Sequence, residues 1–151
     1  MQVELRAITA DTVRAVCRLS LGPGQENFVA PNAVSLAQAL FHPEAWYRAI
    51  YADDELAGFV MLEDQSQRAD PPADPRMGLW RFMIDQRFQG RGVGRLAIAA
   101  VAQHARQQGH VQLYTSYIPG DGSPERFYLG LGFVPTGEMD GEEIVAVMPL
   151  R

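Results

Sequence analysis

The chain has no lysine. All 13 of its basic residues are arginine, and 18 Asp and Glu bring the net charge to −5. A net-acidic domain without a basic block is a poor partner for a phosphate backbone, which argues against nucleic acid. The missing lysine also excludes a P-loop, whose G-x-x-x-x-G-K-[ST] pattern needs that side chain. The single cysteine, Cys17, cannot form an internal disulfide, so nothing calls for an oxidising compartment. Its place in an apolar helical stretch reads as a buried thiol. Of the histidines, His104 falls mid-helix, while His42 and His110 sit beside chain breakers. No Ser-His-Asp arrangement and no spaced Cys/His metal set is visible, so no metal is expected. The longest apolar run, Leu96–Ala102, falls far short of the roughly 18 residues that suggest a membrane span. Met1–Arg6 lacks the charged start and apolar stretch of a secretory signal, which leaves the cytoplasm as the simplest address.

What is present fits one domain, residues 1–151: the chain is 47% apolar and 21% charged, enough to bury a core. Val3–Ile8 alternates like a short strand. Asp11 or Thr12 can cap a helix through Leu21, and Ser35 a second one over Leu36–Phe41. Trp46–Ala52 and Leu56–Glu63 read as strands of a hairpin turning at Asp53-Asp54-Glu55. The polar, proline-bearing stretch Asp64–Arg76 reads as an exposed loop. Met77–Ile84 is a strongly apolar strand, and Arg95–Gln108, alanine-rich and without Gly or Pro, a long helix stopped by Gly109. A strand over Val111–Ile118 and a short helix over Pro124–Leu131 follow. Strands over Phe133–Glu138 and Glu143–Leu150 close the chain. The order predicts a mixed α/β (α+β type) domain, not a regular doubly wound sheet.

Between the apolar strand and the long helix lies Gln89-Gly90-Arg91-Gly92-Val93-Gly94-Arg95. Alternating glycines let consecutive N–H groups turn toward one point, and the helix behind adds its free N–H groups and dipole. Arg91 and Arg95 add formal charge. Such a turn suits a phosphate or pyrophosphate; a tight strand–helix connection alone would also use the glycines. The Rossmann fingerprint does not fit, because Gly90, Gly92 and Gly94 have the wrong spacing and no acid follows about 20 residues on.

The spacing Gln89-x-x-Gly92-x-Gly94, after a buried strand and before a helix, resembles the acyl-CoA pyrophosphate loop of the GNAT superfamily of N-acetyltransferases. A second block, Pro124-Glu125-Arg126-Phe127-Tyr128-Leu129-Gly130-Leu131-Gly132-Phe133, resembles that family's later helix with its tyrosine. The resemblance spans nearly the whole chain. It implies a mixed, mostly antiparallel, splayed sheet with helices on both faces, and acetyl-CoA as co-substrate. Along the strand, Phe82, Met83 and Ile84 would offer main-chain groups to the pantetheine arm, and Gln89–Arg95 would hold the pyrophosphate. Tyr128 falls at the position of the family's general acid, and Ser123 stands with Asp121 where relatives often carry an asparagine that contacts the arm. The general base stays open among Glu26, Glu44, Glu63, Asp64 and Glu138, or an ordered water.

Gln25–Asn32 with Ser35–Ala39, and Thr136-Gly137-Glu138 with Glu143–Val147, are similar to the bacterial diamine and spermine/spermidine-type acetyltransferases. That likeness points to a polyamine. A polycation wants carboxylates and aromatic faces near the acyl group, which Glu26, Phe28, Trp80 and Glu138 could supply as substrate-binding residues. Phe28 and Trp80 also read as core or loop-anchoring aromatics. Another amine (an amino acid, an aminoglycoside-like drug or a protein N-terminus), a non-enzymatic acyl-CoA sensor, and a nucleotide module remain alternatives. The resemblance also admits a homodimer.

Overall fold

The computed structural model describes residues 1–25 and 28–150. The chain forms β1 (Val3–Arg6), α1 (Val13–Arg18), α2 (Asn32–Ala39), β2 (Ala45–Ala52), β3 (Glu55–Asp64), β4 (Met77–Ile84), α3 (Val93–Gln107), β5 (Gln112–Tyr117), α4 (Glu125–Leu131), β6 (Val134–Asp140) and β7 (Glu143–Pro149). The seven strands make one sheet in the order β1-β2-β3-β4-β5-β7-β6. Every pairing is antiparallel except β4 with β5.

Strand alternation divides the core between two faces. On β2 and β3, Ile50, Ala52, Val60 and Leu62 turn toward α3 and α4, meeting Val93, Ala97, Ile98, Val101 and Tyr128. Ala49, Phe59 and Met61 turn the other way, toward Val16 of α1 and Leu36 of α2. Helices therefore cover both faces, and apolar burial on each side holds the sheet.

Two elements differ from the sequence reading, each through a long-range contact. The first helix stops at Arg18, not Leu21. Beyond it the Ser20 N–H donates to the Asp85 carboxylate at 3.0 Å, and the Ser20 carbonyl accepts from Gln86 N–H at 2.9 Å. These bonds strap the chain to the end of β4 in place of another helical turn. The second helix begins at Asn32, whose amide donates to the Val16 carbonyl at 2.9 Å. Ser35 lies inside that helix, fully buried against the sheet, and is not a cap. Cys17 is exposed rather than buried, because Val16 is the α1 residue that faces the core.

Gly58 of β3 is required by close approach. A Cβ there would press into the Met83 carbonyl oxygen of β4 and touch Ile84 Cδ1. Gly58→Ala should therefore destabilise the fold by about 1–3 kcal/mol, the usual scale of overpacking. A denaturant midpoint equal to that of the wild type would show that the strands part freely there.

The site is made by the way β4 leaves its neighbours. Against β3, Arg81 faces Met61 and Leu79 faces Leu62, so Trp80 is an extra residue, a β-bulge. Leu79, Phe82 and Ile84 consequently pack on one face, while Trp80 and Met83 pack on the other. Against β5, pairing runs only through Met77–Leu79 and Leu113–Thr115. Beyond that point β4 stays with β3 and β5 with β7, and the two arms part.

Candidate active site

Three hollows meet where the arms separate. The largest, of about 620 Å³, lies between the end of β4, the glycine loop and α4. An inner hollow of about 370 Å³ opens beside Trp80 and Arg81. An outer one of about 450 Å³ shares Leu79, Trp80, Arg81, Thr115, Ser116 and Glu143 with it.

In the largest hollow Gly90 and Gly92 have φ of 77° and 85°, left-handed values that favour glycine. Gly92 is the residue before α3, so the loop brings the unbonded N–H groups and positive dipole of a long helix to the hollow. Gly94 serves packing as well: a Cβ there would come within 3.1 Å of the Phe127 ring. Gly90, Gly92, Gly94 and Arg95 line the hollow. Val93 is buried in the core and Arg91 is exposed, its guanidinium 5.5 Å from the Phe88 ring centroid. Neither of these two side chains lines the hollow.

The wall of β4 offers a free edge. Asp85 N–H donates to the Ala57 carbonyl. Two-residue alternation then turns the main chain of Met83 to β3 and those of Phe82 and Ile84 to the open side. The Ile84 carbonyl is already taken at 2.9 Å by the Gln89 side-chain amide, which also donates to Gln25 Oε1 at 3.1 Å. Gln89 thus fastens the loop to the strand. Ser123 lines the hollow, and its Oγ accepts from Glu125 N–H at 3.1 Å at the start of α4.

Tyr128 lines both the largest and the inner hollow. Its ring lies 6.0 Å from that of Tyr117, 5.4 Å from Phe127 and 5.5 Å from Phe133, centroid to centroid. Phe127 in turn stacks on Phe82 at 5.8 Å, so α4 bridges the two arms. Burial pushes the Tyr128 phenol well above its ordinary pKa. Thr115 offsets this in part, although its Oγ1 makes no hydrogen bond of good geometry.

On the other side, Trp80 lines the inner hollow, and Phe28 lines both the inner and the largest one. Glu26 lies outside the described residues. Glu138 lies on β6, a strand exposed along its whole length, and makes a two-bond pair with Arg76 at 3.0 Å. That pair holds its carboxyl below the usual range. The other candidate bases among the described residues are also occupied. Glu44 faces His42 and Arg68, and Glu63 binds Arg68 at 2.8 Å. Asp64 is bound by His110 Nε2 and the Ser66 hydroxyl. Burial pushes its pKa up, but those bonds outweigh it and hold the carboxyl below its ordinary value.

Three groups around the hollows have no local signature in sequence. Arg81 donates to the Trp80 carbonyl at 3.2 Å and to Gln38 Oε1 at 3.1 Å, while its buried Nε has no partner among the described residues. Glu143 lines both hollows and accepts from the Ser116 hydroxyl at 3.2 Å. Tyr117 has a buried hydroxyl with no partner among the described residues. A charge inside the apolar strand Met77–Ile84 is the only hint of Arg81 in sequence; Glu143 reaches the site solely through β7 pairing.

An open sheet split at a parallel pair, a glycine turn under a long helix and a tyrosine between two hollows define an acyl-transfer fold. The family model of the acetyltransferase (GNAT) family matches residues 15–133, and the chain belongs to that family; it is an acetyltransferase. It is 28% identical over 96% of its length to the spermine/spermidine N(1)-acetyltransferase of Bacillus subtilis (strain 168), covering 97% of that protein. Among solved structures, the GNAT domain of S. lividans PAT superposes with a TM-score of 0.75 at 17% identity, over 98% of this chain and 89% of that one. The PaiA N-acetyltransferase of Thermoplasma acidophilum, solved with coenzyme A, gives 0.69 at 14% identity, over 99% of both chains.

Proposed function

We propose that this acetyltransferase moves the acetyl group of acetyl-CoA to a primary amine of a polyamine, by direct attack in a ternary complex. The observation that carries the reading is the position of Tyr128 on the wall between the largest hollow and the inner one. A thioester entering along the Phe82–Ile84 edge, with its pyrophosphate over Gly90–Gly94, would bring its carbonyl to that wall. An amine in the inner hollow would meet it there. The thioester is already activated, so holding the two reactants together supplies much of the rate. What remains is to deprotonate the ammonium and to give the departing sulfur a hydrogen-bond donor, the role assigned to Tyr128.

The polyamine is supported by the activity named for the B. subtilis relative. Among the charges of the outer hollow, Arg68 and Arg76 are paired with Glu63 and Glu138, which leaves Asp140 and Glu143 against Arg81, a small acidic excess that suits a cation. The test is thiol release from acetyl-CoA across spermidine, spermine, putrescine, amino acids, an aminoglycoside and N-terminal peptides. Turnover with polyamines well above the rest is expected. Preference for another amine would keep the chemistry and discard the polyamine. Coenzyme binding with no reaction on any amine would favour the sensor.

A further inference from the structure

Of the described residues that line the inner hollow beside Tyr128, Glu143 is the one carboxylate. Its placement follows from pairing: Asp140 faces Glu143 across the turn at Gly141-Glu142, and Ser116 of β5 faces Val145. The Ser116 hydroxyl then donates to Glu143 Oε1 at 3.2 Å, fixing one oxygen and leaving the other for a ligand. Glu143 has no ion-pair partner among the described residues, unlike Glu44, Glu63, Asp64 and Glu138.

Thr115 and Tyr117 also line this hollow, but their hydroxyl oxygens are buried beneath its surface. Arg81 bounds the opposite side from β4 and feels Glu143 electrostatically.

We propose that Glu143 receives the reacting ammonium group of the acceptor and takes its proton. This rests on the reading of the chain as an amine acetyltransferase. One N–H bond of the ammonium breaks and its proton goes to the Glu143 carboxylate. The freed nitrogen lone pair then forms the C–N bond at the thioester carbon. When the tetrahedral adduct collapses, the C–S bond breaks, and the sulfur takes a proton from the Tyr128 phenol. The second proton lost by nitrogen restores that phenol, and the proton on Glu143 leaves to solvent. The products are the amide, the free thiol and one proton. The remainder of the acceptor runs into the outer hollow, which is continuous with the inner one through their shared residues.

The experiment compares Glu143→Gln with the wild type on every amine that the wild type acetylates, with titration of acetyl-CoA and of the amine into the coenzyme complex. Glutamine keeps the Ser116 bond and the volume, so folding and coenzyme affinity should stay. The expected result is a loss of about 100-fold or more in kcat/KM, the scale of a general base, with acetyl-CoA affinity unchanged. Ser116→Ala, which frees the carboxylate without removing it, should give a smaller loss and serves if the glutamine variant does not fold. Turnover within about threefold of wild type in Glu143→Gln on all accepted amines would overturn the assignment. If the preferred amine is no polyamine but Glu143→Gln still loses turnover, the polyamine falls and Glu143 stands. If polyamines are preferred but the variant keeps its rate, the reverse holds. A wild type that neither binds nor acetylates any amine overturns both.

Discussion

Tyr128→Phe is expected to lower kcat by about 10-fold or more, toward the range of a general acid, with little change in acetyl-CoA affinity. The tenfold floor corresponds to about 1.4 kcal/mol of transition-state stabilisation. The fold should not suffer, because the ring is held by Tyr117, Phe127 and Phe133, and all three contacts survive loss of the hydroxyl. Burial raises the phenol's pKa, so the group stays protonated and able to donate across the neutral range. The same shift makes it a reluctant acid, which transfers its proton only once the sulfur carries the charge of the broken C–S bond. A rate profile between pH 6 and about 10 should therefore show no falling limb from Tyr128 ionisation. Steady-state thiol release and a coenzyme titration decide the matter. Unchanged kcat removes Tyr128 from the mechanism.

Gly92→Val is expected to abolish measurable acetyl-CoA binding. Among the described residues other than its chain neighbours, no atom lies within 4 Å of where a Cβ at Gly92 would sit, and the residue lines the largest hollow just before α3. The valine methyls would therefore occupy the space in front of the helix N–H groups that a pyrophosphate needs. The substitution also forces a β-branched residue to a φ of 85°, a strain of about 1–3 kcal/mol. Gly109→Val separates the two effects. It has a φ of 87° and equally open space, but lies past the far end of α3. Both variants should lose similar stability, and only Gly92→Val should lose the coenzyme. A folded Gly92→Val protein with normal affinity would refute the loop's role.

The glycine turn and the short helix that carry these two residues are legible in the sequence because their signals are local. A glycine turn between an apolar strand and an alanine-rich helix can be read within 20 residues or so, and so can a short helix stopped at Gly132. β2, β3, β4, α3 and α4 appear within a residue or two of their predicted bounds for the same reason. The end of the first helix is not legible in the local sequence, because it depends on Asp85, 65 residues away from Ser20. The buried reading of Cys17 fails with it, since periodicity alone did not separate Val16 from its neighbour. The acceptor side was the least legible. Glu138 and Glu143 look alike in the chain, five residues apart, but β6 lays one against Arg76 while β7 brings the other beside Ser116. Only the pairing across β5, β7 and β6 distinguishes them.

The extra residue at Trp80 separates the roles of two faces of β4. Without it, β4 would alternate strictly, and Trp80 would share a face with Phe82 and Ile84 rather than with Met83. The bulge absorbs the offset. It leaves Trp80 and Arg81 together on the inner hollow, and Phe82 and Ile84 in step with the α3 face. Substitutions at those two positions can therefore reshape the inner hollow while Phe82 and Ile84 keep their place on the α3 face.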